Sequence, residues 1–112
     1  MVESRAIARY VRISPQRAMD VIDLIRGKTA EEALNILTFT HKKAAAIANK
    51  VLRSAISNAT KKDKEAKVED LVVTQAYVGQ GPVLKRYHSR AMGRVNTIRR
   101  RTSHICIVLG EK

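Results

Sequence analysis

Apolar residues recur at helical spacing in three successive stretches of the first 60 residues. In the first stretch, Ser14 and Pro15 supply an N-cap and a proline at the first helical position, and Gly27 supplies a left-handed stop. Thr29 and Glu32 open the second stretch with the spacing of a capping box. The third stretch repeats alanine and other small apolar residues on one face. The pattern predicts helices at about residues 15–26, 30–39 and 41–60.

The rest of the chain favours strands. A β-branched run from Leu71 to Val78 is followed by Gly79, Gly81 and Pro82, which predict a bulge, a bend or an edge position there. Further strands are predicted at residues 103–109 and 2–13, although the alternation in the latter is imperfect, and a polar loop is predicted at residues 61–67. The expected fold class is α+β, with three helices packed on a small three-stranded antiparallel sheet and a long protruding β-hairpin.

Length and cysteine content limit the kinds of protein that this chain can be. Its 112 residues are expected to form one domain, residues 1–112, with an extended hairpin arm at residues 79–102. Cys106 is the only cysteine, so an internal disulfide is impossible, and it is expected to be a buried strand thiol. Because no apolar run approaches the roughly 18 residues of a spanning helix, no membrane association is expected and the location is expected to be cytoplasmic.

The charge is strongly positive and unevenly distributed. The net charge is +12, and residues 71–110 hold seven Lys and Arg without one acid, whereas residues 1–70 hold fourteen against nine acids. Six of the seven are arginines, whose guanidinium groups fork to phosphates. An isolated two-stranded ribbon is marginal in water, so the hairpin is expected to become ordered on binding a polyanion. With three Tyr and one Phe in the whole chain, recognition of RNA shape and backbone is favoured over base stacking.

Several motifs resemble those of the bacterial large-subunit ribosomal protein number twenty-two (L twenty-two) family. The C-terminal ones are Gly81-Pro82, Leu84-Lys85-Arg86, Arg90-Ala91-Met92-Gly93-Arg94 and Arg101-Thr102-Ser103-His104-Ile105. Earlier ones occur in the family's order and spacing: Ser14-Pro15, Leu24-Ile25-Arg26-Gly27-Lys28, Leu37-Thr38, Lys42-Lys43-Ala44-Ala45, Lys50-Val51-Leu52 and Ser54-Ala55-Ile56-Ser57-Asn58-Ala59. The resemblance covers nearly the whole chain.

This resemblance implies a structural constituent of the large ribosomal subunit that binds large-subunit ribosomal RNA and assists subunit assembly. Neighbouring ribosomal proteins and the nascent peptide in the exit tunnel are its expected partners, with no cofactor, no metal and no obligate homo-oligomer. The candidate RNA-binding residues are Arg5, Arg9, Arg12, Arg17, Lys85, Arg86, Tyr87, His88, Arg90, Arg94, Arg99, Arg100 and Arg101. The tip expected to line the tunnel comprises Arg90, Ala91, Met92, Gly93 and Arg94.

Two other classes of protein are considered. Catalysis is not expected, because His41, His88 and His104 are far apart in sequence, while Asp20 and Asp23 have arginines within helical reach and favour surface ion pairs. An architectural DNA-binding protein with a basic β-ribbon arm is the stronger alternative. Such proteins usually insert an apolar wedge from the arm tip, whereas the tip here offers only Ala91 and Met92 between Arg90 and Arg94, which is a weak wedge.

Overall fold

The described residues form three helices and one antiparallel sheet, which confirms the predicted α+β fold class. A computed structural model describes residues 3–62, 70–89, 93 and 95–111, and for residues 86–89, 95–99 and 111 it describes the backbone alone. The elements are β1 (Glu3–Val11), α1 (Pro15–Ile25), α2 (Ala30–Phe39), α3 (Lys43–Lys62), β2 (Leu71–Ser89) and β3 (Val95–Glu111). None of the described helices is long and apolar enough to cross a membrane.

The ends of the first two helices follow from their capping residues. The Ser14 side chain accepts a hydrogen bond from the Arg17 N–H at 3.4 Å, and α1 ends just before Gly27, whose φ is +80°. Thr29 caps α2 by accepting from the Glu32 N–H at 3.2 Å. Both N-caps and the glycine stop are as predicted.

The third helix is shifted by two residues from its predicted range of 41–60. Thr40 has an extended backbone and its hydroxyl donates to the Ile36 carbonyl at 2.6 Å, so α2 ends there and α3 begins only at Lys43. At its C-terminal end, α3 extends to Lys62. The basic side chains of Lys61 and Lys62 are favourable beside the last helix carbonyls, and the Lys62 ammonium also donates to the Glu3 carbonyl at 2.9 Å. The predicted loop therefore starts after Lys62, and its residues 63–67 lie outside the described residues.

The sheet has the order β1-β3-β2, so β3 is central and the other two strands are edges. The β2–β3 ladder runs from Leu71 opposite Glu111 to Ser89 opposite Val95, which makes β3 longer than the predicted 103–109. At Gly81 and Pro82, two residues of β2 oppose Thr102 alone, a bulge at an edge, as the sequence predicts. At roughly 3.3 Å per residue, the 19 residues of β2 account for most of the 65 Å longest dimension of the molecule.

A second bulge lies near the end of β1. Ala8 pairs with Ile105 and Val11 with Ser103, so Arg9 and Tyr10 together oppose His104. Tyr10 has a φ of +57°, the left-handed conformation that non-glycine residues rarely adopt. This bulge explains the imperfect alternation of the N-terminal segment, because one extra residue exchanges the two faces of the strand.

The core lies between the helices and one face of the sheet. Alternate residues of β3, namely Ile105, Ile107 and Leu109, are fully buried in a single cluster with apolar residues of all three helices. On α3 the buried positions are mostly alanine, which lets this helix approach the sheet closely. The hydroxyl of buried Ser4 reaches across to the Ala55 carbonyl at 2.9 Å. The opposite face of the sheet carries no described helix.

Candidate nucleic-acid interface

Two neighbouring elements fix the short segment that connects β1 to α1, residues 12–14. Ile13 is buried, and its carbonyl accepts a 2.6 Å hydrogen bond from the buried Ser103 hydroxyl of β3. Its N–H donates to the Val11 carbonyl at 2.8 Å. Lys43, the first residue of α3, donates from its ammonium to the Arg12 carbonyl at 3.2 Å. These bonds bring the N-terminal ends of α1 and α3 beside the sheet.

A cleft of about 900 Å³ opens where these elements meet. Its lining joins the 12–14 segment, the first turn of α1, the start of α3 and the middle of the β2–β3 ladder. Of the ten described residues that line it, five are cationic and none is acidic; the cations are Arg12, Arg17, Lys43, Arg100 and Arg101. We call this site the basic cleft.

The basic cleft has no internal counter-charge. Within residues 3–62, 70–89, 93 and 95–111, none of its five cations forms an ion pair, and all five are exposed. The first turns of α1 and α3 also lack acidic residues, so the positive ends of both helix dipoles add to the field. Like charges gathered in this way repel one another unless anions approach. Phosphate oxygens supply both the charge and the acceptors that guanidinium groups need.

A smaller cavity of about 330 Å³ adjoins the basic cleft and shares Arg17 and Lys43 with it. Lys42 adds another cation there, and Asp20 is the one acidic residue in its lining. The positive surface therefore extends along the N-terminal end of α3.

The structure brings four of the predicted RNA-binding residues together and separates others from them. Arg12 and Arg17 meet Arg100 and Arg101 in the basic cleft, although more than 80 positions separate the two pairs in the chain. Lys43 was missing from the predicted set. The signal that could have found it is the Lys42-Lys43-Ala44-Ala45 motif, which places a basic residue at the start of a helix.

Arg5 and Arg9 are not in the basic cleft. Arg9 lines a separate cavity of about 200 Å³ that also includes Tyr10 and Tyr77, and Arg5 is close enough to Tyr77 to influence its pKa. Both arginines therefore lie on the sheet face that no described helix covers.

The hairpin residues of the predicted set are described to different extents. Lys85 pairs with Arg99 along the ladder, and the backbones of Arg86, Tyr87 and His88 pair with the following residues of β3. The side chains of Arg86, Tyr87, His88 and Arg99, and the whole of Arg90, Ala91, Met92 and Arg94, lie outside the described residues. Gly93 is exposed with a φ of +73°, the conformation expected of a glycine in a tight turn.

The sequence matches one protein family over nearly its full length. Residues 6–110 match the family model described as Ribosomal protein L22p/L17e. The chain belongs to this family. Large ribosomal subunit protein uL22 of Halothermothrix orenii is 58% identical over 99% of this chain and 97% of its own length. The proteins of the same name from Carboxydothermus hydrogenoformans and Desulforamulus reducens are 59% and 53% identical over the same shares.

Membership in the L22p/L17e family confirms the resemblance drawn from the motifs. The matched range includes every cation of the basic cleft and all of the β2–β3 ladder except Glu111. The family is one of ribosomal proteins rather than enzymes.

Two of the residues considered as catalytic or metal-binding, Asp23 and His104, have structural partners. Asp23 forms an ion pair with Arg26 at 2.6 Å, and the Arg26 guanidinium also donates twice to the Ala76 carbonyl of β2. His104 accepts a hydrogen bond near the end of β1, and Cys106 is a buried strand thiol. In the described part of the chain, no group of three or more His, Cys, Asp or Glu side chains is arranged to hold a metal ion.

Proposed function

We propose that this chain is a structural constituent of the large ribosomal subunit and binds large-subunit ribosomal RNA through the basic cleft. The observation that carries the proposal is the gathering of five cations from three stretches that are distant in sequence, residues 12–17, 43 and 100–101, with no acid among the described lining residues. The names of the relatives, which are large ribosomal subunit proteins, support the assignment to that subunit. No catalytic step is part of the proposal.

The composition of the basic cleft favours recognition of the RNA backbone. Four of its five cations are arginines, and each guanidinium presents a planar fork that matches two phosphate oxygens. The helix N-termini of α1 and α3 add fixed partial positive charge, which favours phosphate at that position. Such contacts orient a protein on folded RNA without reading its sequence.

The basic cleft and the hairpin would form one continuous RNA-binding surface. Arg100 and Arg101 line the cleft and also belong to the ladder, where they pair with Leu84 and Val83. The positive charge continues along residues 79–102, which the sequence assigns to the arm. We propose that this arm extends into ribosomal RNA and helps assembly by holding RNA segments together.

The tip of the arm is proposed to line the nascent-peptide exit tunnel. The support is the family resemblance of residues 85–94, together with the left-handed backbone of Gly93. In this proposal the flanking arginines anchor the arm in RNA, while residues 90–94 face the tunnel and the nascent peptide. Neighbouring ribosomal proteins would cover part of the remaining surface.

Sedimentation of a cell lysate tests the proposal directly. The chain, detected with an antibody, is expected to sediment with the large subunit at both high and low magnesium. A variant in which Arg12, Arg17, Arg100 and Arg101 are replaced by Gln is expected to shift toward the top of the gradient. Recovery of the unaltered chain with nucleoid DNA would instead support the architectural DNA-binding alternative and contradict the proposal.

A further inference from the structure

Two tyrosines and a histidine meet on the sheet face that no described helix covers. The Tyr10 ring packs edge-on against the His104 ring, with centroids 5.0 Å apart and planes at 89°. Tyr77 of β2 lines the same cavity of about 200 Å³. Tyr10 is 64% exposed and Tyr77 is 48% exposed, so the aromatic surface is open to a partner. We call Tyr10, Tyr77 and His104 the aromatic patch.

The β1 bulge holds Tyr10 in this position. The Tyr10 N–H donates to His104 Nδ1 at 3.1 Å, and the φ of Tyr10 is +57°. A tyrosine pays a conformational cost for such a backbone, and unusual backbone of this kind concentrates at functional sites. Because Nδ1 accepts a hydrogen bond, the neutral His104 ring carries its proton on Nε2, where it is available as a donor.

The side chain of Tyr77 is oriented by its neighbours on the sheet. It lies beside Cys106, its partner across the ladder, and interaction with Cys106 is the main reason that its pKa is raised above the ordinary value, while Arg5 acts in the opposite direction. The phenol is therefore neutral at physiological pH, and its ring stays an uncharged stacking surface. Gly79, which also lines the cavity, adds no side chain beside it.

The charges around the aromatic patch favour a nucleic-acid partner. Arg9 lines the cavity, Arg5 contacts Tyr77, and none of the residues that line the cavity is acidic. The basic cleft differs from it in chemistry, because no aromatic residue is among the described residues that line the cleft. Aromatic rings with adjacent arginines are the combination that binds unpaired bases, the rings by stacking and the arginines by contacting phosphate.

We propose that the aromatic patch binds an unpaired base of ribosomal RNA by stacking, with Arg5 and Arg9 contacting the adjacent phosphates. The proposal rests on the proposed function, since it assumes that the chain binds ribosomal RNA. It adds a second contact of a different kind, on the opposite face of the sheet from the helices. The sequence favoured backbone recognition over base stacking because the chain has only four aromatic residues, whereas the β1–β3–β2 pairing brings two of them, Tyr10 and Tyr77, together.

Tryptophan fluorescence can detect stacking at this position, because the chain contains no tryptophan. Tyr77→Trp introduces a single tryptophan into the aromatic patch of the full chain. Phe39→Trp is the matched control, since Phe39 is 78% exposed at the end of α2 and belongs to neither site. Each variant is titrated with large-subunit ribosomal RNA, with a short oligoadenylate and with an abasic strand of the same length.

If the aromatic patch stacks on a base, the ribosomal RNA and the oligoadenylate should quench the tryptophan fluorescence of Tyr77→Trp, and the abasic strand should leave it largely unchanged. None of the three reagents should quench the fluorescence of Phe39→Trp. Equal quenching by the abasic strand would overturn stacking in favour of backbone contact alone. Quenching only in the reconstituted subunit, and not with ribosomal RNA alone, would identify a neighbouring protein as the occupant and also overturn the proposal.

Affinity measurements separate this proposal from the proposed function. Tyr77→Leu is expected to weaken binding of large-subunit ribosomal RNA by roughly 5- to 150-fold, the range of one lost base stack, whereas Tyr77→Phe should retain most of the affinity. Thermal melts check that both variants are folded. If Tyr77→Leu binds normally while the basic-cleft variant binds weakly, the aromatic patch is refuted and the proposed function stands. If neither variant weakens binding, both proposals fail.

Discussion

Neutralising the basic cleft should change how salt affects RNA binding. The variant replaces Arg12, Arg17, Arg100 and Arg101 with Gln and keeps Lys43, whose ammonium donates to a backbone carbonyl. Each phosphate contact contributes about 0.7 to 0.9 to the slope of log affinity against log salt, so four lost contacts lower the slope by about 3 to 3.5. A fourfold rise in salt should then weaken the unaltered chain about 50 to 150 times more than the variant.

The assay is a filter-binding titration with large-subunit ribosomal RNA at several salt concentrations. All four arginine side chains are exposed and none has an ion-pair partner among the described residues, so the variant should melt at or slightly above the temperature of the unaltered chain.

A second variant controls for net charge. It replaces four exposed cations outside the cleft with Gln, namely Lys28, Lys50, Arg53 and Lys61. Both variants lose four positive charges from a net charge of +12. The control should keep most of the salt slope, because its cations do not converge on one site. An equal loss of slope in both variants would show that overall charge, and not the basic cleft, drives binding.

Three further predictions concern the scaffold that positions the two sites. In Gly81→Ala the new Cβ would lie 2.5 Å from the Thr102 hydroxyl oxygen, so we expect the free energy of unfolding, measured in urea, to fall by about 1–3 kcal/mol. The control Gly79→Ala, whose new Cβ would meet nothing closer than 3.8 Å, should be nearly neutral. Equal losses of stability in the two variants would contradict the role of the bulge. Ser103→Ala removes the buried hydrogen bond to the Ile13 carbonyl and should lower the free energy of unfolding by about 1–2 kcal/mol. An unchanged melting temperature would mean that this bond does not stabilise the fold. Deleting residues 85–94 should leave the helical circular dichroism and its thermal transition intact, and a lost transition would refute a domain that folds independently of the arm tip.

Local signals in the sequence were sufficient for the helices and for one bulge. Thr29 and Gly27 act through their own side chain or backbone and their nearest neighbours, so the spacing of residues predicts what they do. The boundaries of α3 were less predictable because long-range contacts decide them. Lys62 belongs to the helix and its ammonium bonds to β1, which the sequence around it does not reveal.

The two candidate sites depend on strand pairing. The sequence predicted the arginines of both sites, but it predicted neither Lys43 nor the aromatic patch, and it did not reveal how these residues are grouped. Arg12 and Arg101 meet because the Ser103 hydroxyl bonds the Ile13 carbonyl and β1 pairs with β3 in one particular register. A shift of that register by one residue would exchange the two faces of β1 and disrupt both sites. The β1 bulge at Tyr10 makes the same point more strongly. The extra residue of this bulge makes the N-terminal alternation irregular, and it also brings the exposed ring of Tyr10 against His104. The irregular alternation in the sequence therefore coincides with the proposed aromatic patch.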